Sequence, residues 1–203
     1  MDLPELVGSL VALRPLSEEH IADLLEAARD RSSYAYTTVP DGRRAMEEYV
    51  LGLIAARKNG ETIPLAQICR RSESCVGVTR FLNIRVEPPG RSPYAVEIGG
   101  TWLAGAAQRT GINVDAKLQL LRHAFETWRV GRVDLVTDAR NAQSQGAIRA
   151  IGAVEEGVLR NWQPSRAPGE EGRLRDSAMH AIVGADWPAV RSLIERRLQQ
   201  LSA

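Results

Sequence analysis

The chain has 203 residues, of which 44% are hydrophobic and 25% are charged, a composition typical of a globular protein with a sizeable core. Its net charge of +1 argues against general electrostatic binding of nucleic acid or of an anionic membrane. Its apolar runs are too short to span a bilayer, its start lacks the features of a secretory signal, and its two cysteines form no disulfide framework, so we expect a cytoplasmic protein.

Strand and helix patterns follow one another without a repeat or a long linker. Apolar residues that alternate or cluster between turn residues predict strands over residues 10–16, 63–70, 75–86, 94–103, 133–137, 157–162 and 177–184. Apolar residues at helical spacing predict helices over residues 17–28, 45–58, 114–128, 141–152 and 186–201. The order β-α-α-β-β-β-α-β-α-β-β-α predicts one mixed α/β domain over residues 1–203, with antiparallel hairpins and one β-α-β crossover.

The strand over residues 94–103 contains two adjacent glycines, Gly99 and Gly100. A glycine pair inside a strand commonly marks a bulge or a close approach to the backbone. The strand before it, over residues 75–86, has apolar side chains on one face at period two, with Arg80 as the exception, and Pro88-Pro89-Gly90 predicts the reversal between the two. We therefore expect a hairpin whose second strand bulges.

The clearest helix covers residues 114–128. Its apolar stripe leaves Asp115 and Gln119 on other faces, and we expect His123 to face solvent. Asn113 is predicted to cap the N-terminus of this helix, and Gly131 to end it.

A loop of small residues connects the strand over 94–103 to this helix. Free backbone N–H groups and the partial positive charge of a helix start favour a phosphate, and Arg109 adds a formal charge at the rim. Such a connection can also merely cap a helix. The loop lacks the lysine of a P-loop and the G-x-G-x-x-G of a dinucleotide fold.

Two other kinds of chemistry find no support. His20, His123 and His180 are scattered and no zinc-ligand spacing occurs, so no metal is expected. The G-x-S-x-G elbow of serine hydrolases is also missing.

The segment Gln108-Arg109-Thr110-Gly111-Ile112-Asn113 resembles the Gln/Arg-x-x-Gly-x-Gly/Ala motif of the GNAT superfamily of N-acetyltransferases, particularly its Rim-type branch. Asn113 departs from the small final residue of that motif. Residues 138–153 resemble the second acyl-CoA motif of the family, and the order of elements matches from about residue 10 to residue 183. The resemblance implies a single GNAT-like domain with a mostly antiparallel twisted sheet, two splayed parallel strands and helices on both faces.

The resemblance also implies acetyl-CoA as co-substrate, held in the gap between the strands that end at Leu103 and Thr137. Main-chain groups of Trp102 and Leu103 would pair with the pantetheine arm. Asn141 and Ser144 would line its other side. The pyrophosphate would be held by backbone N–H groups of Gln108, Arg109, Thr110, Gly111, Ile112 and Asn113.

Acetyl transfer needs a neutral amine, and an alkylamine with a pKa of ~10 needs a base to reach that state at pH 7. Glu97 is the expected base, because it precedes the glycine pair and points away from Val96 and Ile98 by strand alternation, and because a glutamate at about this place does this work in related enzymes. The alternative is an ion pair with Arg80 or another cross-strand base.

Further roles concern the leaving thiolate and the developing oxyanion. Ser144 is the candidate proton donor to the thiolate, since no tyrosine follows Tyr94 in the chain. Ser144 can equally be the N3 residue of a helix, where it satisfies the helix end. A backbone N–H near Trp102 and Leu103 would stabilise the oxyanion. Neither cysteine lies in these motifs, which favours direct attack by the amine.

The sequence says less about the site of the amine acceptor. Relatives place the region of Tyr34, Tyr36, Arg43 and Arg44 on one side of the acceptor, with Trp162 and the 163–176 loop on the other. The simpler interpretation of Arg166, Arg173 and Arg175 is a solvated loop. Homodimers are common among similar proteins, and the sequence leaves the oligomeric state open.

The leading hypothesis is an enzyme that moves an acetyl group from acetyl-CoA to a primary amine, on a protein N-terminus or a small molecule. The alternative is a non-catalytic acyl-CoA-binding or regulatory module. A nucleotide- or nucleic-acid-binding protein is a third hypothesis, against which the near-neutral charge and the missing P-loop lysine count.

Overall fold

The computed structural model describes residues 3–87 and 92–202. The strands in this part are β1 (Leu6–Val7), β2 (Val11–Pro15), β3 (Thr62–Cys69), β4 (Cys75–Arg85), β5 (Ala95–Leu103), β6 (Arg132–Asp138), β7 (Val154–Pro164) and β8 (Leu174–Val183). The α-helices are α1 (Ile21–Ala27), α2 (Arg43–Lys58), α3 (Ile112–Arg122), α4 (Ala142–Arg149) and α5 (Trp187–Ser202). The mixed α/β class and the predicted order are confirmed, with β1 added at the start. The Pro88-Pro89-Gly90 reversal lies outside the described residues.

One eight-stranded sheet has the order β1-β2-β3-β4-β5-β6-β8-β7. Strands β5 and β6 are parallel, and the other neighbours are antiparallel. The parallel ladder joins only Ala95–Glu97 to Arg132–Asp134, although β5 continues to Leu103 and β6 to Asp138. The two strands therefore diverge beyond Glu97 and leave a gap, as the resemblance implied.

A bulge in β5 occurs at the glycine pair. Val78 pairs with Trp102 and Arg80 pairs with Gly99, so two steps along β4 face three steps along β5. Gly100 has a φ of +56°, in the left-handed region that favours glycine. The predicted bulge is confirmed, and it begins just beyond the last residue of β5 that pairs with β6.

Helices cover both faces of the sheet. The core on one face includes side chains of α3, α4 and α5, and the core on the other includes side chains of α1 and α2. Strand β4 contributes to both, because Phe81 and Val78 are each fully buried but belong to different cores. The prediction that the apolar side chains of residues 75–86 share one face is wrong, because Val76 and Ile84 pack against the core that contains Phe81 and Val78 belongs to the other.

Helix α3 differs from its prediction at both ends. It begins at Ile112, and Gly111 with a φ of +90° is its N-cap residue, so the prediction that Asn113 caps it is wrong. Asn113 lies inside the first turn instead. A π-helical turn, His123–Thr127, continues α3, and Arg129 has a φ of +58°, so the helix ends before Gly131.

The polar side chains of α3 are not solvated. Asp115 is 1% exposed and accepts hydrogen bonds from the backbone N–H groups of Leu10 at 2.6 Å and Val11 at 3.2 Å. Gln119 donates to Asp115 at 3.0 Å, and His123 packs edge-on against Trp128. The expectation that His123 faces solvent is wrong, and Asp115 and Gln119, predicted to lie off the apolar stripe, are buried as well. Their partners come from β2, from the residue before it and from β4, which periodicity does not reveal.

A Gly100→Ala substitution is expected to lower the free energy of unfolding by about 1–2 kcal/mol, because an L side chain is strained at a positive φ. An added Cβ would also lie 2.3 Å from Nε of Arg80, which must move. The matched control is Gly52→Ala, inside α2 with no atom near the added methyl, which should raise stability by roughly 0.5–1 kcal/mol. Urea unfolding checks both, and equal effects of the two variants would contradict the strained bulge.

Candidate active site

Glu97 lies at the apex of the gap, in the last parallel pair, opposite Asp134. Its neighbours Val96 and Ile98 belong to the core under α3, so its side chain points to the opposite face, as predicted. A Cβ added to Gly99 would lie 3.0 Å from Oε1 of Glu97, which places the carboxylate directly over the glycine pair. Glu97 is 6% exposed.

The carboxylate of Glu97 has a neutral hydrogen-bond partner. Nδ2 of Asn83 donates to Oε2 of Glu97 at 2.6 Å. Burial raises the pKa of Glu97, and Asp134 raises it further, while Asn83 and the nearby Arg175 and Arg80 partly oppose this. Within the described residues Glu97 has no ion-pair partner closer than 4.0 Å, so the expected alternative of a pair with Arg80 does not occur.

The loop before α3 has the form of an anion-binding turn. Arg109 and Gly111 have positive φ angles of 61° and 90°, and Thr110 ties the turn together by donating to the carbonyl of Ala107 at 2.7 Å. No side chain caps the start of α3, so its first backbone N–H groups lack intrahelical or capping partners. Such an array of N–H groups binds phosphate oxygens well.

Gln108 crosses the mouth of the gap. Its Nε2 donates to the carbonyl of Leu103 at 3.1 Å and to Oγ of Ser33 at 2.8 Å. Its Oε1 accepts from Nε2 of Gln143, in the first turn of α4, at 3.2 Å. One side chain therefore connects the end of β5 with the helix on the far side of the gap.

The main-chain carbonyls at the end of β5 already have donors. The carbonyl of Trp102 accepts from Gln67 at 3.3 Å, and that of Leu103 accepts from the hydroxyl of Tyr34 at 3.1 Å. The indole of Trp102 donates to the hydroxyl of Tyr49 at 3.2 Å. Polar side chains thus fix the position of this end of β5.

Helix α4 begins on the other side of the gap. Oδ1 of Asn141 accepts from the backbone N–H of Ser144 at 3.0 Å, which confirms the predicted cap. Ser144 takes part in that cap through its backbone, and its half-buried hydroxyl makes no hydrogen bond within the described residues.

The two segments expected to border the acceptor meet at the end of the gap. Arg140 donates to Asp138 at 2.7 Å and to Glu170 at 2.8 Å, and its guanidinium lies 5.3 Å from the ring centre of Tyr36. Thr38 donates to the carbonyl of Arg166 at 3.0 Å. The α1–α2 connection therefore contacts the β7–β8 hairpin.

The remaining residues expected near the acceptor lie less centrally. Tyr34 is buried, Trp162 is 54% exposed, and Arg43 and Arg44 are exposed and pair with glutamates of their own helix. Arg166 and Arg173 are exposed, as expected of a solvated loop. Arg175 is half-buried instead: it donates to Gln163 at 2.9 Å, and its burial lowers its pKa.

Lys117 is a buried group that the sequence analysis missed. Its Nζ donates to Oγ1 of Thr101 at 2.8 Å, and Thr101 shares a hydrogen bond of 2.8 Å with Thr79. Burial lowers the pKa of Lys117 to about 7. The available signal was its position three residues after Val114 and four before Leu121, on the apolar stripe of the helix.

Two further features bear on function. In residues 3–87 and 92–202, no cluster of three His, Cys, Asp or Glu side chains is arranged to hold a metal ion. No helix in the same residues is both long and apolar enough to cross a membrane.

Comparison with known proteins identifies the family. The model of the acetyltransferase (GNAT) domain matches residues 11–154. A crystal structure from T. thermophilus, provisionally assigned as an acetyltransferase, is 30% identical with a TM-score of 0.79, over 98% of this chain and 99% of that one. The chain belongs to the GNAT family and is an enzyme of the acetyltransferase class.

Other solved structures share the fold at lower identity. A GCN5-related N-acetyltransferase from Brucella melitensis has a TM-score of 0.83 at 20% identity, over 98% of this chain and 86% of that one. A ribosomal-protein-S5-alanine acetyltransferase from Vibrio fischeri has a TM-score of 0.68 at 18% identity, over 92% of this chain and 99% of that one. No match was found among curated protein sequences.

Replacing Lys117 with methionine is expected to raise the free energy of unfolding at pH 7 by roughly 1–3 kcal/mol, because methionine has no charge to desolvate. The pKa of Lys117 is about 7 in the folded protein against 10.5 for an ordinary lysine, so the unfolded chain binds one more proton between these values. The stability of the unsubstituted protein should therefore rise with pH across that window, and the variant should lose this rise.

Urea unfolding between pH 6.5 and 10 measures the effect. Lys58→Met is the matched control, since Lys58 is the other lysine of the chain and is exposed. A Lys117→Met protein with an unchanged pH dependence would show that Lys117 is charged when folded.

Proposed function

We propose that this enzyme transfers an acetyl group from acetyl-CoA to a primary amine by direct attack of the amine, with the whole chain acting as one catalytic unit. The observation that carries the proposal is the gap itself. Strands β5 and β6 separate after three parallel pairs, with the buried carboxylate of Glu97 at the apex and the uncapped start of α3 following the far end of β5.

The residues present fit acetyl-CoA. When bound, this molecule supplies an acetyl group activated as a thioester. Backbone N–H groups from Gln108 to Asn113 would hold its pyrophosphate, because two left-handed residues and the helix start leave donors without partners. The buried Oδ1 of Asn113 has no partner either, and rotation of that amide would present its NH2 to an anion.

The pantetheine arm would lie between the two strands. The carbonyls of Trp102 and Leu103 already accept side-chain hydrogen bonds, so the arm would pair with the remaining N–H groups of these residues or displace those donors. Asn141 and Ser144 would border it from the start of α4. Gln108, which contacts both sides of the mouth, would close over the arm.

Glu97 would act as the general base. Its raised pKa makes its carboxylate a better proton acceptor than an ordinary glutamate, and Asn83 fixes its orientation. As the amine nitrogen forms its bond to the acetyl carbon, the carbon–sulfur bond breaks and Glu97 takes a proton from the nitrogen. The departing sulfur would receive a proton from the free hydroxyl of Ser144 or from solvent.

A cysteine relay is not needed. Burial raises the pKa of Cys75 to about 12, which leaves its thiol protonated and unreactive at neutral pH. Both Cys69 and Cys75 are free thiols, which suits a reducing compartment such as the cytoplasm.

Glu97→Gln is expected to reduce kcat at pH 7 by about 10²-fold or more, because glutamine retains the hydrogen bond to Asn83 but accepts no proton. Thiol release from acetyl-CoA with a panel of amines and peptides measures the rate. In the unsubstituted enzyme the rate should rise with pH through the raised pKa of Glu97, and the rate of the variant should not show this rise. Glu19→Gln, at an exposed position, is the control, and equal rates in both variants would remove Glu97 from this role.

Gly111→Ala is expected to raise the Kd for coenzyme A at least about tenfold, because a side chain at a φ of +90° distorts the turn that presents the N–H groups. The added Cβ would also lie 2.8 Å from Cδ1 of Leu10. Gly169→Ala is the control, with a φ of +80° and no crowding in the β7–β8 hairpin. Titration calorimetry measures both, with thermal unfolding to confirm the folded state.

The same titration separates the two hypotheses. Tight binding of coenzyme A without turnover on any amine would favour the non-catalytic module. Absence of any heat with coenzyme A would overturn the proposed function itself.

A further inference from the structure

We infer that the acceptor is a small amine that also carries a carboxylate or phosphate group, held by Arg80 and Arg175 while its nitrogen lies at Glu97. This inference rests on the proposed function and names the substrate class of the same site.

The two arginines approach Glu97 from opposite sides of the gap. Arg80 lies on β4, where a Cβ added to Gly100 would come within 2.3 Å of its Nε, so its guanidinium rests on the bulge of β5. Arg175 lies on β8, beyond β6, and strand alternation from the core residue Ile182 places it on the same face as Glu97. Both are close enough to lower the pKa of Glu97.

Two arginines near Glu97, and a serine close to one of them on β8, have buried polar atoms without partners. Nε of Arg80, Nε of Arg175 and Oγ of Ser177 are buried and make no hydrogen bond. Ser177 is fully buried and lies two residues from Arg175 on β8, so the two side chains share a face. Because buried polar groups are nearly always paired in folded proteins, these unpaired donors favour a ligand with acceptor oxygens.

The charges point the same way. Arg80 and Arg175 have no carboxylate partner within 4.0 Å in the described residues, whereas Arg85, Arg132 and Arg140 each have at least one. The acid near both arginines, Glu97, has a raised pKa and would act in proton transfer. Asp138, the other acid near Arg175, is already paired with Arg140. A bound oxyanion would neutralise the positive charge of the two arginines. A guanidinium is the group best suited to hold a carboxylate or phosphate through two hydrogen bonds.

The phosphates of coenzyme A do not account for this pair. The loop that would hold them begins at Gln108, beyond the end of β5, whereas Arg80 and Arg175 act at Glu97 near its start. The six residue steps from Glu97 to Leu103 correspond to roughly 20 Å of extended strand. The burial of Glu97 and Ser177 favours a small acceptor, in which few bonds separate the amine from the anion.

The test compares acceptors that differ only in charge. Free amino acids are matched with their amides, phosphoethanolamine with ethanolamine, and a short peptide carrying aspartate at position two with its asparagine counterpart. We expect kcat/KM to be at least about tenfold higher for the small anionic member of a pair. Arg175→Gln and Arg80→Gln should each remove most of that preference and leave the KM for acetyl-CoA unchanged, and Arg175→Lys should restore part of it.

Arg173→Gln is the control, since Arg173 is an exposed arginine of the loop between β7 and β8 and is not among the groups that shift the pKa of Glu97. Equal rates for charged and neutral members, a preference confined to the peptides, or an equal loss with every acceptor in the Arg175 variant would overturn the inference. Calorimetry of the anionic amines with the coenzyme-A-loaded enzyme gives a readout without turnover. Binding that Arg175→Gln abolishes would support the anion site even if acetyl transfer fails, and absence of binding together with slow turnover would overturn it.

Discussion

The site depends on one backbone constraint, the separation of two parallel strands after three residue pairs. A parallel ladder that continued would pair the N–H and C=O groups of both strands and leave no room between them. The extra residue at the glycine pair interrupts the match of β5 with β4, and the positive φ of Gly100 turns the strand there. Main-chain groups that would be hydrogen-bonded in a regular sheet thus border a gap instead. The start of α3 follows the end of β5.

The apex of this gap contains two acids with different surroundings. Asp134 pairs with Arg85 and Arg132, so its negative charge is compensated. Glu97 receives a neutral amide from Asn83, and burial together with the charge of Asp134 raises its pKa. Neighbouring carboxylates whose surroundings give them different pKa values are typical of sites in which one carboxylate transfers protons and the other stays negatively charged.

Local sequence signals were sufficient for the order of elements, the bulge at Gly99–Gly100 and the cap at Asn141, because each depends on residues adjacent in the chain. They failed where distant strands supply the partner. Periodicity places Asp115 off the apolar stripe of its helix, yet this side chain is buried, because the backbone N–H groups of Leu10 and Val11 donate to it from more than a hundred residues away. The prediction for Arg175 failed for the same reason, since a loop composition cannot show that β8 places it beside Glu97.

Asn113 shows why the N-cap of α3 was predicted at the wrong residue, and the difference bears on the site. An asparagine before an apolar periodic run is a strong capping signal. A capping side chain, however, would occupy an N–H group that the proposed function assigns to the pyrophosphate. With Gly111 at the N-cap, the turn closes by backbone geometry alone and no side chain takes those donors. The local rule therefore fails at the helix start where a capping side chain would compete with the proposed pyrophosphate contact, and such departures from local rules are expected at functional sites.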